Sequence, residues 1–116
     1  MTKVMRPAVA YLRTSSAANV GADKDSDKRQ RAAIEAFAKS AGFAIVGEYY
    51  DKAVSGADRI DQRPGFAEML QRLAADGAKT IIVESPDRFA RDLAVQLAGH
   101  DMLKALGIAI HSCIRT

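Results

Sequence analysis

Short apolar runs alternate with amphipathic stretches along the whole chain. Ala8-Val9-Ala10-Tyr11-Leu12, preceded by Pro7, has the length and apolar density of a buried strand. Ser15 to Asp27 contains Asn19, Gly21, Asp23, Lys24, Asp25 and Ser26, leaves nothing to pack and predicts a loop, with Ser26 or Asp27 as cap for the next element. From Lys28 to Ser40, Ala33, Ile34, Phe37 and Ala38 recur at helical spacing, which predicts an amphipathic helix stopped by Gly42. Phe43 to Tyr50 alternates in part and predicts a second strand. Asp51 to Gly65 is a charged, glycine-containing loop, longer than a connection needs and therefore a candidate for function. Phe66, Met69, Leu70 and Leu73 mark a second helix ending near Gly77, and Thr80-Ile81-Ile82-Val83 a third strand. Leu93, Leu97, Met102, Leu103 and Leu106 are expected to line a third helix closed by Gly107, before a fourth strand at Ile108-Ala109-Ile110.

Strand and helix alternate throughout, so the expected fold is a three-layer α/β/α sandwich with a mostly parallel, four-stranded, flavodoxin-like sheet and right-handed crossovers. In such open sheets ligands sit beyond the carboxyl ends of the strands. Arg13 and Ser15, the Asp51 to Gly65 loop, and Asp87 to Arg91 all come after strands, and all are placed at that one edge.

Length and composition narrow the class. A chain of 116 residues fits one domain, and 48% apolar with 27% charged residues is ordinary for a globular one. No apolar run approaches the roughly 20 residues that cross a bilayer, and the N-terminus lacks a signal-peptide core, so a cytoplasmic protein without membrane contact is expected. A single cysteine, Cys113, forms no internal disulfide and agrees with a reducing compartment. The net charge of +3 permits an anionic partner. Arginine is concentrated in the strand-end segments (Arg13, Arg59, Arg63, Arg88, Arg91), and its fork suits phosphate oxygens.

That edge offers serine hydroxyls, several guanidiniums and a carboxylate. The sequence has no Gly-x-Ser-x-Gly, no Gly-x-Gly-x-x-Gly, no phosphate-binding Gly-x-x-x-x-Gly-Lys-Ser/Thr and no metal-spaced His or Cys set, so neither a cofactor nor a metal is expected. A serine among arginines suits attack on a phosphodiester, with the cations neutralising the nonbridging oxygens. Ser15 is the candidate nucleophile and Ser16 its rival.

Tyr11-Leu12-Arg13-Thr14-Ser15, then Gln30, then Ser55-Gly56 and Arg63-Pro64-Gly65-Phe66, then Asp87-Arg88-Phe89-Ala90-Arg91-Asp92, taken together, resemble the catalytic domain of the serine recombinases, the resolvase/invertase family, from about Ala8 to the end. The resemblance implies a resolvase-type catalytic fold and site-specific recombination of double-stranded DNA. It implies that Ser15 attacks a DNA phosphate to give a 5′-phosphoserine link and a free 3′-hydroxyl, and that rejoining needs no ATP. By the same resemblance Arg13, Arg63, Arg88 and Arg91 hold the scissile phosphate. Asp87 orients one of these arginines or takes part in proton transfer, and Gln30 and Ser55 support the pocket. The spacing between Ser15 and Gln30 is closer to the large serine recombinases. The family continues into an oligomerisation helix and a DNA-binding domain, so residues 1–116 are expected to be a catalytic domain truncated before both. Alone it is expected to be a monomer or weak dimer that does not complete recombination, and the full-length protein a dimer or tetramer acting on the bacterial nucleoid.

Two other classes stay open on the residues: a non-catalytic α/β interaction module, and a phosphatase or nuclease that hydrolyses phosphate esters without a retained covalent link. Arg88 and Arg91, three apart, are expected to face the same way on a helical turn capped by Ser85. Arg59 is read as a solvated loop charge, Tyr11 as core, His100 as an ordinary helix residue, and His111 and Cys113 as packing.

Overall fold

A computed structural model describes residues 5–14, 26–52, 59, 62–76, 78–90 and 93–113. In chain order the elements are β1 (Arg6–Arg13), α1 (Ser26–Ala41), β2 (Phe43–Asp51), α2 (Pro64–Asp76), β3 (Thr80–Val83), α3 (Pro86–Phe89), α4 (Leu93–Ala105) and β4 (Ala109–Ser112). The strands lie in the order β2-β1-β3-β4, every pairing parallel. This is the expected α/β sandwich, with β1 and β3 in the centre and the strand ends gathered on one edge.

Side-chain alternation on β1 builds both faces at once. Val9 and Tyr11 join Ile81 and Val83 and are covered by Phe66, Met69 and Leu73 of α2 with Phe89 and Leu103. Ala8, Ala10 and Leu12 face the other way and pack with Ile82 against Ile34 and Ala38 of α1. Burial of both faces explains why β1 and β3 read as continuous apolar runs. Gly42 and Gly107 end α1 and α4 at φ of 84° and 74°, the left-handed conformation that favours glycine.

Three local expectations are corrected. Leu97 and Leu106, read as core, are 58% and 51% exposed; α4 is apolar on more of its surface than the sheet covers, and among its described residues the core contacts come from Leu103 with Val95 and Met102 packed beside it. Ser85 stands at the N-cap of α3 but makes no side-chain capping bond; the Arg88 N–H that its hydroxyl would cap donates to the Ser85 carbonyl at 3.0 Å instead. Helical spacing does not relate Arg88 to Arg91, because Ala90 is extended (φ −158°, ψ 130°) and ends the helix between them.

Candidate active site

The carboxyl end of β1 is held differently on its two sides. Towards β2 the ladder runs to Arg13↔Asp51, and Thr14 N donates to the Asp51 carbonyl at 3.1 Å. Towards β3 the pairing stops at Ala10↔Ile82. There the Gln30 side chain takes the place of a strand: Arg13 N donates to Gln30 Oε1 at 3.2 Å, and Gln30 Nε2 donates to the Arg13 carbonyl at 3.1 Å. Gln30 is fully buried, so the expectation that it supports the pocket acquires a specific form: it fixes the main chain two residues before Ser15.

Three arginines converge on that strand end. Arg13 Nε donates to the Arg88 carbonyl at 3.1 Å, and Arg88 Nη1 donates back to the Arg13 carbonyl at 3.2 Å. Arg63 Nη1 donates to the Phe89 carbonyl and, at 3.3 Å, to the Tyr11 hydroxyl. Arg13 and Arg63 are only 0% and 1% exposed, so neither is a solvated surface charge. Carbonyl groups fix one side of each guanidinium, which preorganises cations for an anion instead of leaving them to reorganise when it arrives.

Asp51 holds this cluster to the fold. Its Oδ2 accepts from the Tyr11 hydroxyl at 2.8 Å and from Phe66 N at 3.0 Å, and its Oδ1 accepts from Gly65 N at 2.7 Å. The sequence Arg63-Pro64-Gly65-Phe66 can now be read residue by residue. Arg63 enters the cluster and Pro64 opens α2, where its missing N–H costs nothing. Gly65 gives the carboxylate room, since a Cβ there would stand 2.8 Å from Asp51 Oδ1. Phe66 puts its ring edge-on to Tyr11 at 5.0 Å.

Burial, partly offset by Arg63 and reinforced by Asp51, pushes the Tyr11 hydroxyl above its ordinary value, so it stays protonated and is a poor nucleophile. The folded protein holds this proton more tightly than the unfolded chain, so the associated stability is full below about pH 10 and is lost above it. We expect stability to fall by up to about 1.4 kcal/mol per pH unit above pH 10, and Tyr11→Phe to remove that part of the slope in urea titrations run from pH 8 to 11.

Among the sequence candidates, Arg13, Gln30, Arg63 and Arg88 are brought together. Asp87 lies in α3, beside Arg88. Ser15, Ser16, Ser55 and Arg91 lie outside the described residues, as does most of the loop between β2 and α2. Arg59 is exposed, as read. His100 is an exposed residue of α4 whose ring meets Phe89 edge-on at 4.9 Å. His111 is exposed at the rim, 5.6 Å from the Phe43 ring, and Cys113 is half-buried with its thiol donating to the Ala33 carbonyl at 3.5 Å. Sequence reasoning misses Asp51 and Glu84. Each is an acid directly ending or following a strand on an edge otherwise rich in arginine, and that contrast is the available signal.

The family description "Resolvase, N terminal domain" matches residues 8–115. The chain belongs to the resolvase family. A resolvase-family site-specific recombinase from Streptococcus pneumoniae is 26% identical over 93% of this chain and 72% of its own, with a TM-score of 0.76. The N-terminal catalytic domain of TP901-1 integrase is 21% identical over 93% of this chain and 77% of its own, with a TM-score of 0.74. A serine recombinase from Sulfolobus solfataricus is 22% identical over 96% of this chain and 70% of its own, with a TM-score of 0.69. The last two speak for the fold. No curated protein sequence matches. The resolvase domain is thus a catalytic domain of site-specific recombination, an enzyme of DNA. Among its described residues no helix is long and apolar enough to cross a membrane.

Proposed function

We propose that Ser15 is the nucleophile of a DNA strand transfer and that Arg13, Arg63, Arg88 and Arg91 hold the scissile phosphate. The observation that carries this is the convergence of three buried or half-buried guanidiniums on the strand end that leads directly into Ser15. The Ser15 Oγ–P bond forms as the P–O3′ bond breaks. The serine proton ends on the departing 3′-oxygen, with Asp87 orienting an arginine or relaying the proton. The product is a 5′-phosphoserine link and a free 3′-hydroxyl. Charge builds on the phosphoryl oxygens during this step, and arginines fixed in advance stabilise it without waiting for solvent to reorganise. The energy of the phosphodiester is kept in the link, so the reverse attack by a 3′-hydroxyl rejoins strands. Gln30 and Ser55 support the pocket, and the intact protein assembles as a homo-oligomer on double-stranded DNA in the cytoplasm, at the nucleoid.

Retention of the broken strand separates this reading from hydrolysis. The probe is a nicked suicide duplex selected by covalent capture from a randomised pool. It should leave a labelled strand on the protein through denaturing electrophoresis, and an added 3′-hydroxyl strand should release it as ligated DNA without a nucleotide cofactor. Free 5′-phosphate ends with no retained strand would show a phosphate-ester hydrolase instead.

A further inference from the structure

We propose that Glu84 is a positioning residue for strand cleavage: clamped by Arg29 of α1, its carboxylate sets the guanidinium of Arg88 for the scissile phosphate. This rests on the assignment of Arg88 to that phosphate.

Glu84 immediately follows the last residue of β3 and is 5% exposed. A carboxylate buried this far is costly even when paired, and apolar residues in place of such pairs are often as stable or more so. The fold therefore gains nothing evident from a charge at this position, and its value has to come from what it holds. Arg29 grips both oxygens, Nε to Oε2 at 2.9 Å and Nη2 to Oε1 at 3.3 Å, which removes the freedom of the carboxylate to rotate. Oε1 then stands 3.5 Å from Arg88 Nε. The Arg29 side chain is 56% exposed, so its own pairing contributes little to stability, whereas the side chains of Arg88 and Glu84 are 11% and 7% exposed and interact away from bulk water.

Arg88 is consequently restrained at two points of its guanidinium: Nη1 is hydrogen-bonded to the Arg13 carbonyl, and Nε, which makes no hydrogen bond, faces the Glu84 carboxylate at ion-pair distance. Two points fix the orientation of a planar group where one would leave a hinge. The first turns of α1 supply both restraints, because Arg29 holds Glu84 while its neighbour Gln30 holds the main chain of Arg13. Glu84 also lies between Arg29 and Arg88, so its charge keeps the two cations from repelling each other out of place.

The test compares adduct formation by wild type, Glu84→Gln and Arg29→Ala on two versions of the captured nicked duplex, one with an ordinary scissile phosphate and one with a methylphosphonate. The methyl group removes one charged nonbridging oxygen, and with it the need for a well-aimed Arg88. Relative to wild type on the same duplex, Glu84→Gln is expected to slow adduct formation about tenfold or more on the phosphate and less than about twofold on the methylphosphonate, a difference near 1.4 kcal/mol per factor of ten. Arg29→Ala, a change at a half-exposed side chain that leaves the core untouched, should show the same selectivity with a smaller loss. Equal slowing on both duplexes by both variants would assign Glu84 to the fold and overturn the proposal, as would no slowing at all. Wild type failing to form an adduct that Ser15→Ala removes would overturn the assignment of the site itself, an outcome distinct from either.

Discussion

Ser15→Ala should reduce covalent capture of nicked DNA by at least about 10⁴-fold, to background, while DNA binding stays within a few-fold of wild type. On the proposed mechanism alanine removes the atom that becomes bonded to phosphorus, so no rearrangement of neighbours restores the reaction. The surrounding arginines would still bind the phosphate, and this is why affinity and chemistry separate. Ser16→Ala, by contrast, should keep most of the activity, since the resemblance to the serine recombinases places the nucleophile at Ser15. Tyr11, another hydroxyl near the strand end, is no substitute: it is fully buried, donates to Asp51 and has its ionisation pushed upward by that burial. Quantitative gel analysis of adduct against time, with binding measured separately by anisotropy, checks the prediction. Adduct persisting in Ser15→Ala at more than a few per cent of the wild-type rate would contradict it.

Asp51→Ala should destabilise the domain by about 3–5 kcal/mol, lowering its melting temperature by about 10–25 °C. The carboxylate is 4% exposed and accepts three hydrogen bonds, from the Tyr11 hydroxyl and the Gly65 and Phe66 amides. Removing it strands donors that water cannot easily reach, each at about 1–3 kcal/mol, with some relief as they relax together. It also unties β2 from the start of α2 and frees the Tyr11 hydroxyl that receives Arg63, so cleavage should fall with stability. Asp51→Asn should lose less, because one oxygen still accepts. Thermal and urea denaturation followed by circular dichroism measure both; a loss below about 1 kcal/mol for alanine would show that Asp51 is not the junction described.

Most of the framework is legible in the chain because it is set by local period. Thr80 to Val83 forms β3 as read, the helix stopped by Gly42 ends there, and unbroken apolar runs at Ala8 and Ile81 correspond to strands buried on both faces. Periodicity reports that a face is apolar but not whether another element covers it, and so Leu97 and Leu106 look like core although α4 leaves them exposed. The identity of the arginines is also legible, but their burial is not. Arg13 is satisfied by a carbonyl 75 residues away and Arg63 by one 26 residues away, partners that no local pattern announces. Asp51 and Glu84 escape notice for the same reason: an acid at the end of a strand looks like loop until the tertiary structure brings Tyr11, or Arg29 and Arg88, against it.

The most direct measurement is the chemical identity of the protein–DNA link. Trypsin acting after Arg13 and Lys24 isolates the peptide from Thr14 to Lys24, which contains both Ser15 and Ser16. After nuclease trimming of the captured adduct, fragmentation mass spectrometry should find a nucleotide joined through its 5′-phosphate to Ser15. A link on Ser16, on Tyr11 or through a 3′-phosphate would contradict the account.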